Sequence, residues 1–417
     1  MAGETRAADM NILYVTYGLP YPPVSGARIR DLHLIQQLSQ RHKIHLFSLL
    51  EDPTEAAYAA QLAAYCASVE MFPLDHQSLP DRIAVLKEHI VARRPLATFP
   101  FMNRAMMALI REVAVANSVD AIQVEHSFLA PYVEALSPGF RGVKVLSLHN
   151  LADRQYQRIA QLPLGLTRRF SFWLKARLMS QWEAVYASHF DCVITVSETD
   201  RRQLASANPK LHLAIIENGV DTRQCQPLPE AAENGLLFAG TMGYAPNVDA
   251  MLWFCNEILP RIQEAVPDFK VWIVGRSPSR AVQKLGKRQN VIVTGQVPDL
   301  APYYRQANVV IVPLRAGGGT RLKILEAMAY GRPVVSTTVG CEGLAVCDGE
   351  TILIADSAAA FAARVITLLR DKAGRERIAR AARHLVEGRY DWSIIGGELL
   401  TLYESLATRR TGVRCAI

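Results

Sequence analysis

Several marks of secreted, membrane-spanning and metal-binding proteins are missing from this sequence. Its seven cysteines include no Cys-x-x-Cys pair and no cluster with histidine, which disfavours a disulfide framework or a zinc site and indicates a reducing compartment. The first nine residues, MAGETRAAD, contain no apolar run, so we expect no signal peptide. No stretch reaches the ~20 apolar residues of a membrane-spanning helix. We therefore expect a cytoplasmic protein.

What is present indicates a globular protein with phosphorylated or anionic partners. The chain has 417 residues, 50% hydrophobic and 20% charged, which at ~150 residues per domain suggests about two to three domains. The net charge of +7 fits phosphorylated ligands, an anionic membrane or nucleic acid. Nucleic acid ranks last, because aromatic-basic RNA-binding signatures and zinc-finger spacings are missing. Walker A and nicotinamide-type glycine motifs are missing too, which disfavours ATP hydrolysis and hydride transfer.

Short apolar strands alternate with helical segments along both halves of the chain. NILYVTY, the helical RDLHLIQQLSQRH and KIHLFSLL form a βαβ unit, and DAIQVEH, VKVLSLHN and DCVITVS continue the pattern. A polar linker near Asp221–Asn234 separates this half from a second α/β half. The alternation predicts α/β architecture with two parallel sheets. Ligands would then bind at the carboxyl ends of the strands, in a cleft between the halves.

Three segments follow from this pattern. We place an N-terminal Rossmann-like domain at residues 10–224 and a C-terminal Rossmann-like domain at residues 225–390. Residues 391–417 form a C-terminal helix and tail, beginning with DWSIIGGELLTLYESL, which we expect to pack back on the N-terminal domain.

The stretch LRAGGGTRLKILEAMAYGRPVV combines a glycine loop with a helix. Thr320 is the predicted N-cap and Gly331 the predicted residue after the helix. Arg321 and Lys323 in the first turn are electrostatically unfavourable unless an anion joins them, which indicates a bound phosphate. Glu326 follows one turn deeper and suits the hydroxyl pair of a ribose. The alternative is an ordinary turn with a surface pair of Lys323 and Glu326.

The sequence resembles the retaining glycosyltransferases of family 4, which have the GT-B fold of two Rossmann-like domains facing across a cleft. The resemblance extends from Met10 to about Leu406 and is carried by PPVSGARIRDLHLIQQL, SLHN, FDCVITVSETDRRQL, IIENGVD, VTGQVPDLAPYYRQANVVIVPL and GTRLKILEAMAYGRPVVST. It implies an acceptor-binding N-terminal domain, a C-terminal domain for the nucleotide-sugar donor, and a C-terminal helix that crosses back. No Asp-x-Asp pair occurs, so we expect transfer without a metal ion and without a cofactor.

The resemblance also implies roles for individual residues. Glu326 would bind the donor ribose, the glycine loop would cradle the diphosphate and donor sugar, and Val297 in GQVPDL would contact the base through its backbone. His149 matches the family histidine that faces the donor sugar. We assign catalysis to His149, Lys323 and Glu326, and donor binding to Gly26, Gly240, Thr241, Val297, Gly317, Gly318, Gly319, Thr320 and Arg321.

The sequence departs from the family pattern in two places. Gly318 occupies the position of a second glutamate, eight residues before Glu326. The loop FAGTMGYAPNVDA lacks the arginine and lysine that usually hold the diphosphate. We expect Arg321 and Lys323 to supply that charge, and backbone N–H groups of Gly317–Thr320 to replace the missing acid.

Candidates in the first half carry weaker signals. In VSGARIR, Gly26 would bring the backbone close to the diphosphate or acceptor, and Arg28 or Arg30 would meet an acidic acceptor; the alternative is a turn and a solvated helix start. Without the resemblance, a histidine at a strand end such as His149 is often structural. His126, which also follows a strand, is a weaker candidate for the site than His149. Two acids near the predicted cleft, Glu125 and Glu198, receive no assignment.

The segment Arg154–Trp182 has six basic residues and no acidic one. Phe170, Trp173, Leu174 and Leu178 follow helical spacing within it. A basic amphipathic helix of this kind predicts peripheral contact with an anionic membrane, and an interior helix with a solvated basic face is the alternative.

Together these features predict a retaining glycosyltransferase of polysaccharide or glycolipid biosynthesis, acting on a glycan or lipid-linked acceptor. Two other functions stay open. A nucleotide-sugar epimerase on the same fold would need several carboxylates in the cleft. The missing acid at Gly318 leaves room for a non-catalytic nucleotide-sugar-binding protein.

Overall fold

The computed structural model describes residues 9–74, 79–92, 94–116, 119–231 and 233–411. The chain forms two compact units, each assembled from separate segments. Unit 1 comprises Met1–Asp153, Lys175–Glu217 and Ile395–Ile417, and unit 2 comprises Arg154–Leu174 and Asn218–Ile394.

Unit 1 is built around a seven-stranded parallel sheet with the order β3-β2-β1-β4-β5-β6-β7. Its strands are β1 (Asn11–Tyr17), β2 (Lys43–Leu50), β3 (Ser68–Pro73), β4 (Ala121–Glu125), β5 (Val143–Leu148), β6 (Cys192–Thr195) and β7 (Leu213–Ile215). Strand β1 pairs with β2 on one side and with β4 on the other, so the strand order reverses between β1 and β4. The carboxyl ends of these strands border the switch point where open α/β sheets bind ligands.

Unit 2 is built around a six-stranded parallel sheet with the order β10-β9-β8-β11-β12-β13. Its strands are β8 (Gly235–Ala239), β9 (Lys270–Val274), β10 (Val291–Gly295), β11 (Val309–Val312), β12 (Val334–Ser336) and β13 (Leu353–Ile354). Strand β8 pairs with both β9 and β11, which places the switch point of this sheet between β8 and β11.

Helices connect the strands of both sheets. They are α1 (Gly26–Leu38), α2 (Ala59–Leu62), α3 (Leu79–Val91), α4 (Arg104–Ala116), α5 (Ala152–Gln161), α6 (Leu166–Tyr186), α7 (Glu198–Ala207), α8 (Ala245–Trp253), α9 (Leu259–Ala265), α10 (Arg280–Leu285), α11 (Ala301–Gln306), α12 (Leu322–Ala329), α13 (Ala358–Arg370), α14 (Lys372–Leu385) and α15 (Trp392–Thr411). Single π-helical turns, Phe254–Ile258 and Val386–Tyr390, follow α8 and α14. Within the described residues, none of these helices is both long enough and apolar enough to cross a membrane.

The strands form because apolar, often β-branched residues fill them almost without interruption. Five consecutive residues of β1 and all four of β11 are buried. Strands of a parallel sheet that is covered on both faces need not alternate between apolar and polar residues. Segments NILYVTY and KIHLFSLL occur as β1 and β2 with the predicted bounds, and the prediction of two Rossmann-like α/β sheets is confirmed.

The chain passes between the two units at several points. The first change near the linker lies between Glu217 and Asn218, and the second lies between Ile394 and Ile395. One segment, Arg154–Leu174, belongs to unit 2 although it precedes the linker in sequence. The helical residues from Ile395 onward belong to unit 1.

Helix α15 makes close contacts within unit 1. A side chain at Gly396 would displace Gln37 of α1, because the Cβ position there lies 2.3 Å from Gln37 Oε1. The buried Tyr403 donates its hydroxyl to Gln123 Oε1 at 2.5 Å. Glycine and tyrosine in this helix therefore tie it to α1 and β4.

Helix α12 begins later than predicted. Its N-cap is Arg321, with no side-chain capping hydrogen bond, and its first helical residue is Leu322. The prediction of Thr320 as N-cap is therefore wrong: its hydroxyl accepts a hydrogen bond from Asn218 Nδ2 at 2.6 Å instead. The other end is as predicted, with Gly331 at φ 68° after the last helical turn.

Candidate active site

The first group of chemically active side chains lies in unit 1, where Asp31, Glu125 and His149 form what we call the histidine cluster. Asp31 lies in α1, Glu125 is the last residue of β4 and His149 directly follows β5. His149 Nε2 is 2.8 Å from Glu125 Oε2 and 3.2 Å from Asp31 Oδ1. Both carboxylate side chains are fully buried and the imidazole is 9% exposed. His149 is thus held by two acids from two different elements.

Burial disfavours charge on all three groups, and their mutual attraction opposes it. Burial lowers the pKa of His149, but the charges and hydrogen bonds of Asp31 and Glu125 outweigh it and raise the pKa to about 9. Burial raises the pKa of Glu125, but His149 and Arg30 outweigh it and bring the pKa down to about 2. For Asp31 burial prevails, and its pKa rises to about 6. These directions favour a protonated His149 beside ionised Glu125 and Asp31 at a pH between the pKa values of Asp31 and His149.

Arg30 completes the charge balance. Its guanidinium is fully buried and donates to the backbone carbonyls of Ile216 and Glu217, both at 2.9 Å. Its charge lowers the pKa values of both carboxylates in the histidine cluster. Two buried cations thus offset two buried anions, as buried charges require. The expectation that Arg30 meets an acidic acceptor is wrong.

The neighbouring candidates of α1 also have defined positions. The side chain of Arg28 is only 5% exposed and pairs with Glu51 at 3.1 Å and with Glu55 at 2.6 Å. Arg28 is thus engaged by two acids of its own unit. Gly26 is the exposed first residue of α1, whose N-cap is Ser25.

His126, which ranks below His149 on sequence, lies in the same site. The two ring centroids are 3.8 Å apart. Burial, together with the charge of His149, holds the pKa of His126 well below its usual value, so the ring is neutral. Its backbone has φ 68° and ψ 143°, a conformation that residues other than glycine rarely adopt and that often marks functional sites.

The histidine cluster is better described as a set of ion pairs than as a metal site. Potential ligand atoms of its three side chains lie within 4.8 Å of one another. A metal ion there would have to displace the Nε2 proton of His149, which already neutralises the carboxylates. We therefore assign no metal to it.

The second group lies in unit 2, and we call it the glycine-loop site: Gly240, Thr241, Gly317–Arg321, Lys323 and Glu326. Gly240 follows β8, and the glycine loop follows the adjacent strand β11. A Cβ on Gly240, whose φ is 154°, would lie 2.8 Å from Lys323 Nζ. The backbone at the end of β8 thus comes directly against the lysine of α12. Two segments that sequence reasoning assigned to the donor therefore meet at the switch point of one sheet.

Lys323 is held by uncharged groups. Its Nζ lies 3.3 Å from Asn247 Oδ1 and 3.9 Å from the centroid of the Phe238 ring. Burial and then the positive charge of Arg321 lower the pKa of Lys323 to about 7, against the attraction of Glu326. A cation in this setting gains from a bound anion.

The glycine loop turns its carbonyls toward Arg321. Arg321 Nη1 donates to the carbonyl oxygens of Gly318 and Gly319. Two of the glycines adopt conformations that other residues avoid, with φ 127° at Gly317 and 67° at Gly319. Because C=O and N–H point in opposite directions across a trans peptide, the N–H groups of Gly319 and Thr320 are directed away from Arg321.

Glu326 is half-buried in α12 and accepts a hydrogen bond from the hydroxyl of Tyr304 at 3.2 Å. Burial raises the pKa of Glu326, against the opposing effects of this hydrogen bond and of Lys323. The contacts of Lys323 and Glu326 are therefore Asn247, Phe238 and Tyr304, which does not match the alternative of an ordinary surface ion pair.

Sequence reasoning missed three charged residues beside the loop. Glu342 pairs with Arg154 at 2.5 Å and with Arg158, and Arg158 Nη1 donates to the carbonyl of Gly317 at 3.1 Å. Arg154 and Glu342 are 188 positions apart in sequence. The only available signal was the basic run that starts at Arg154, and it suggested a membrane rather than a loop contact.

A fourth missed residue is Arg276, in the loop after β9. Its Nε lies 3.5 Å from Thr241 Oγ1. It places a cation beside the loop FAGTMGYAPNVDA, which has none of its own. Val297 lies after β10, partly buried against the core of unit 2.

Positive charge is in excess around the glycine loop. Among the residues described above, Arg154, Arg158, Arg276, Arg321 and Lys323 are accompanied by two acids, Glu326 and Glu342. Such cations, with directed backbone N–H groups at the switch point of a parallel sheet, are suited to a phosphorylated ligand. The fold is that of an α/β protein with two Rossmann-like sheets.

Solved structures share this architecture over nearly the whole chain. Sucrose-phosphate synthase from Thermosynechococcus elongatus has a TM-score of 0.74 at 20% identity, covering 96% of this chain and 100% of that one. HepE from Anabaena, in complex with UDP-glucose, has a TM-score of 0.66 at 16% identity, covering 95% and 100%. At these identities the likeness establishes the fold, which is GT-B.

Family models match both halves: Glycosyltransferase Family 4 over residues 24–224 and Glycosyl transferases group 1 over residues 233–371. An uncharacterized 44.6 kDa protein in the cps region of Klebsiella pneumoniae is 22% identical over 398 residues, 91% of this chain and 96% of that protein. The phosphatidyl-myo-inositol mannosyltransferase of Mycobacterium leprae is 32% identical over 166 residues, 38% of this chain and 44% of that protein. The chain belongs to the glycosyltransferases of the family 4 type.

Proposed function

We propose that this glycosyltransferase moves a sugar from a nucleoside diphosphate sugar to a glycan or lipid-linked acceptor, with retention at the anomeric carbon and without a metal ion. The observation that carries the proposal is the environment of Lys323. Among the described residues, Lys323 Nζ contacts Asn247 Oδ1, the Phe238 ring and the backbone position of Gly240, and the positive charge of Arg321 acts on it. A diphosphate would neutralise this charge, and the cations would stabilise it as a leaving group.

The roles of single residues follow from that placement. Glu326 would accept hydrogen bonds from the ribose hydroxyls, and the backbone at Val297 would contact the base. The N–H groups of the glycine loop, with Gly240 and Thr241, would hold the diphosphate and sugar. The complex of the structural neighbour HepE with UDP-glucose supports a nucleotide-sugar donor.

The domain assignment is part of the same proposal. Residues 225–390 would bind the donor and residues 10–224 the acceptor, with Gly26 and His149 on the acceptor side. His149 would face the donor sugar. Attack by the acceptor hydroxyl on the face that the leaving group departs from needs no protein base, and no step is assigned to one.

Two measurements test the proposal. Thermal stabilisation by UDP, GDP, ADP and TDP identifies the base, because a bound ligand raises stability with its concentration relative to Kd. The matching sugar nucleotide, labelled in the sugar, is then incubated with and without acceptor extract, and the anomeric configuration of the product is determined by NMR. Label transferred to acceptor with retained configuration supports the proposal, and inverted configuration contradicts it.

The same assay separates the alternatives. An epimerase converts the donor without any acceptor, and a non-catalytic binding protein is stabilised by the nucleotide but releases no sugar. Glu326→Ala is the matched control in each arm, since it removes the proposed ribose ligand and leaves the fold in place.

We also propose peripheral contact with an anionic membrane through one face of α6. Leu166, Phe170, Trp173 and Leu174 are 81%, 62%, 51% and 42% exposed, so the alternative of an interior helix does not describe this face. Exposed cations flank it at Arg168, Arg169, Lys175 and Arg177. Apolar residues bordered by cations match the acyl boundary and headgroups of an anionic bilayer.

The membrane contact is tested by co-sedimentation with vesicles that contain phosphatidylglycerol. Replacing the four flanking cations by glutamine should weaken binding about fivefold per cation. The control makes the same charge change elsewhere, at the exposed Lys284, Lys287, Arg305 and Arg380. Equal losses in both variants would mean that net charge, and not α6, governs binding.

A further inference from the structure

We infer that Asp31 and Glu125 are positioning residues for His149: they hold its imidazole in the doubly protonated form and direct its Nδ1–H, not Nε2, toward the substrate. The inference rests on the proposed function only in assuming that His149 faces the donor sugar. It adds that this histidine is a fixed cationic hydrogen-bond donor and never a proton acceptor in the working pH range.

The geometry determines which nitrogen is available. Both carboxylates converge on Nε2, from Glu125 at 2.8 Å and from Asp31 at 3.2 Å. A single N–H that faces two buried carboxylates cannot be given up without leaving two negative charges together. Nε2 is therefore occupied, and Nδ1 is the nitrogen left for a ligand.

The surroundings hold the ring in this orientation. His126 covers one side of the imidazole, with centroids 3.8 Å apart and planes inclined by 38°. Glu125 is itself fixed, because its other oxygen accepts a hydrogen bond from Tyr14 at 2.6 Å. The histidine cluster is thus held by residues of β1 and β4 as well as of α1.

The charged and titratable groups around His149 favour its cationic form. Asp31 and Arg30 come from α1, Tyr14 from β1, Glu125 from β4, and His126 from the segment after it. Burial raises the pKa of Tyr14 well above its usual value, so Tyr14 is neutral. His126 is neutral as well. The balance is then two carboxylates against Arg30 and His149, which only the protonated imidazole completes.

The charge state is measured directly by NMR of the full chain labelled with ¹⁵N-histidine. His149 is assigned by comparison with His149→Gln. The expected result for wild type is two protonated ring nitrogens at pH 7.5, with deprotonation only near pH 9. A ring that titrates near 6.5, as an unperturbed histidine does, would overturn the inference whether or not the enzyme is active.

Two variants test the role of the carboxylates. Glu125→Gln and Asp31→Asn keep the shape and remove one charge each, so the midpoint for His149 should fall by at least one pH unit. Glu183→Gln is the matched control: Glu183 is a buried carboxylate of the same unit that bonds Ser127 at 2.6 Å, and its loss should leave the midpoint unchanged. If Glu125→Gln or Asp31→Asn fails to fold, the other variant and the titration of wild type still test the inference.

Kinetics give a readout that a merely structural role would not change. In Glu125→Gln, kcat should fall about twofold or more at pH 8, as a midpoint lowered from about 9 by at least one unit requires, and should recover toward wild type at pH 6.5, with KM for the donor little altered. A pH-independent loss, or an alkaline limb in the same place as in wild type, would contradict the inference. Failure of wild type to transfer sugar from any donor would instead refute the proposed function and leave the NMR result standing.

Discussion

Buried charges balance one another in the histidine cluster but not in the glycine-loop site. In unit 1, two carboxylates and two cations neutralise one another, and His149 gains a pKa of about 9. In unit 2, Lys323 contacts the uncharged groups Asn247 and Phe238, and burial lowers its pKa to about 7. The charges of the first site balance one another, whereas in the second Arg321 and Lys323 face one carboxylate, Glu326. On the proposed function, the histidine cluster would hold a fixed charge for the reaction, and the glycine-loop site would be filled by a charged ligand.

The largest expected difference is in stability. His149→Ala leaves two buried carboxylates with Arg30 alone, and breaking a buried pair in this way costs about 3–5 kcal/mol. Lys323→Met should be neutral or stabilising, because it removes a desolvated cation. Denaturant unfolding of both variants measures the contrast. Similar losses in the two would show that both sites are structural ion networks.

The same contrast has a pH dependence. The folded-state pKa of His149 is raised to about 9 from a usual value of 6.5, so its stabilising effect is fully present below about pH 6.5 and is lost as the pH rises through about 9. Unfolding free energy of wild type should therefore fall over this window, and that of His149→Gln should fall less. If the unfolding free energies of wild type and His149→Gln fall in parallel with pH, the charge of His149 does not contribute to stability.

The next largest effect is on nucleotide affinity. Glu326→Ala would leave the ribose hydroxyls unpaired, and hydrogen bonds to a charged group contribute about 1.5–3 kcal/mol. Affinity for the preferred nucleoside diphosphate should fall about ten- to hundredfold by calorimetric titration, and Glu326→Gln should lose less. Equal affinity in wild type and Glu326→Ala would refute the site assignment in unit 2.

A smaller effect concerns pH and Lys323. On the proposed function, a diphosphate would bind the protonated amine, and its negative charge would raise the pKa of Lys323 in the complex. Affinity should therefore weaken as the pH rises above about 7, by at most about tenfold per pH unit. Lys323→Met should bind more weakly at pH 6 and show a flatter profile. A wild-type affinity that is constant from pH 6 to pH 8.5 would mean that Lys323 does not meet the diphosphate.

The smallest expected effect is that of a chelator. If Arg276, Arg321 and Lys323 neutralise the diphosphate, transfer with excess EDTA should proceed at the untreated rate. A large loss that Mn²⁺ or Mg²⁺ restores would show that a metal ion, and not these side chains, carries the charge.

Much of this protein follows from local sequence. Apolar runs define strands such as β1 and β2, because a covered parallel strand is buried on both faces. Gly331 ends α12, because glycine adopts a positive φ without strain. The unfavourable cations at Arg321 and Lys323 indicated an anion site, since a helix N-terminus repels positive charge. These are short-range effects, readable from neighbouring residues.

The charge partners could not be read in this way. Nothing local distinguishes Arg30, which is fully buried, from the expected ligand-binding arginine. Asp31 and Glu125 approach His149 only because α1, β4 and β5 meet at one edge of the unit 1 sheet, and Arg158 reaches the glycine loop only because its helix belongs to unit 2. Electrostatic interactions depend on distance in space and on burial, and both arise from packing between segments far apart in the chain. Sequence patterns therefore located the strands and the glycine loop for which we propose phosphate binding, and folding determined which charges neutralise each other.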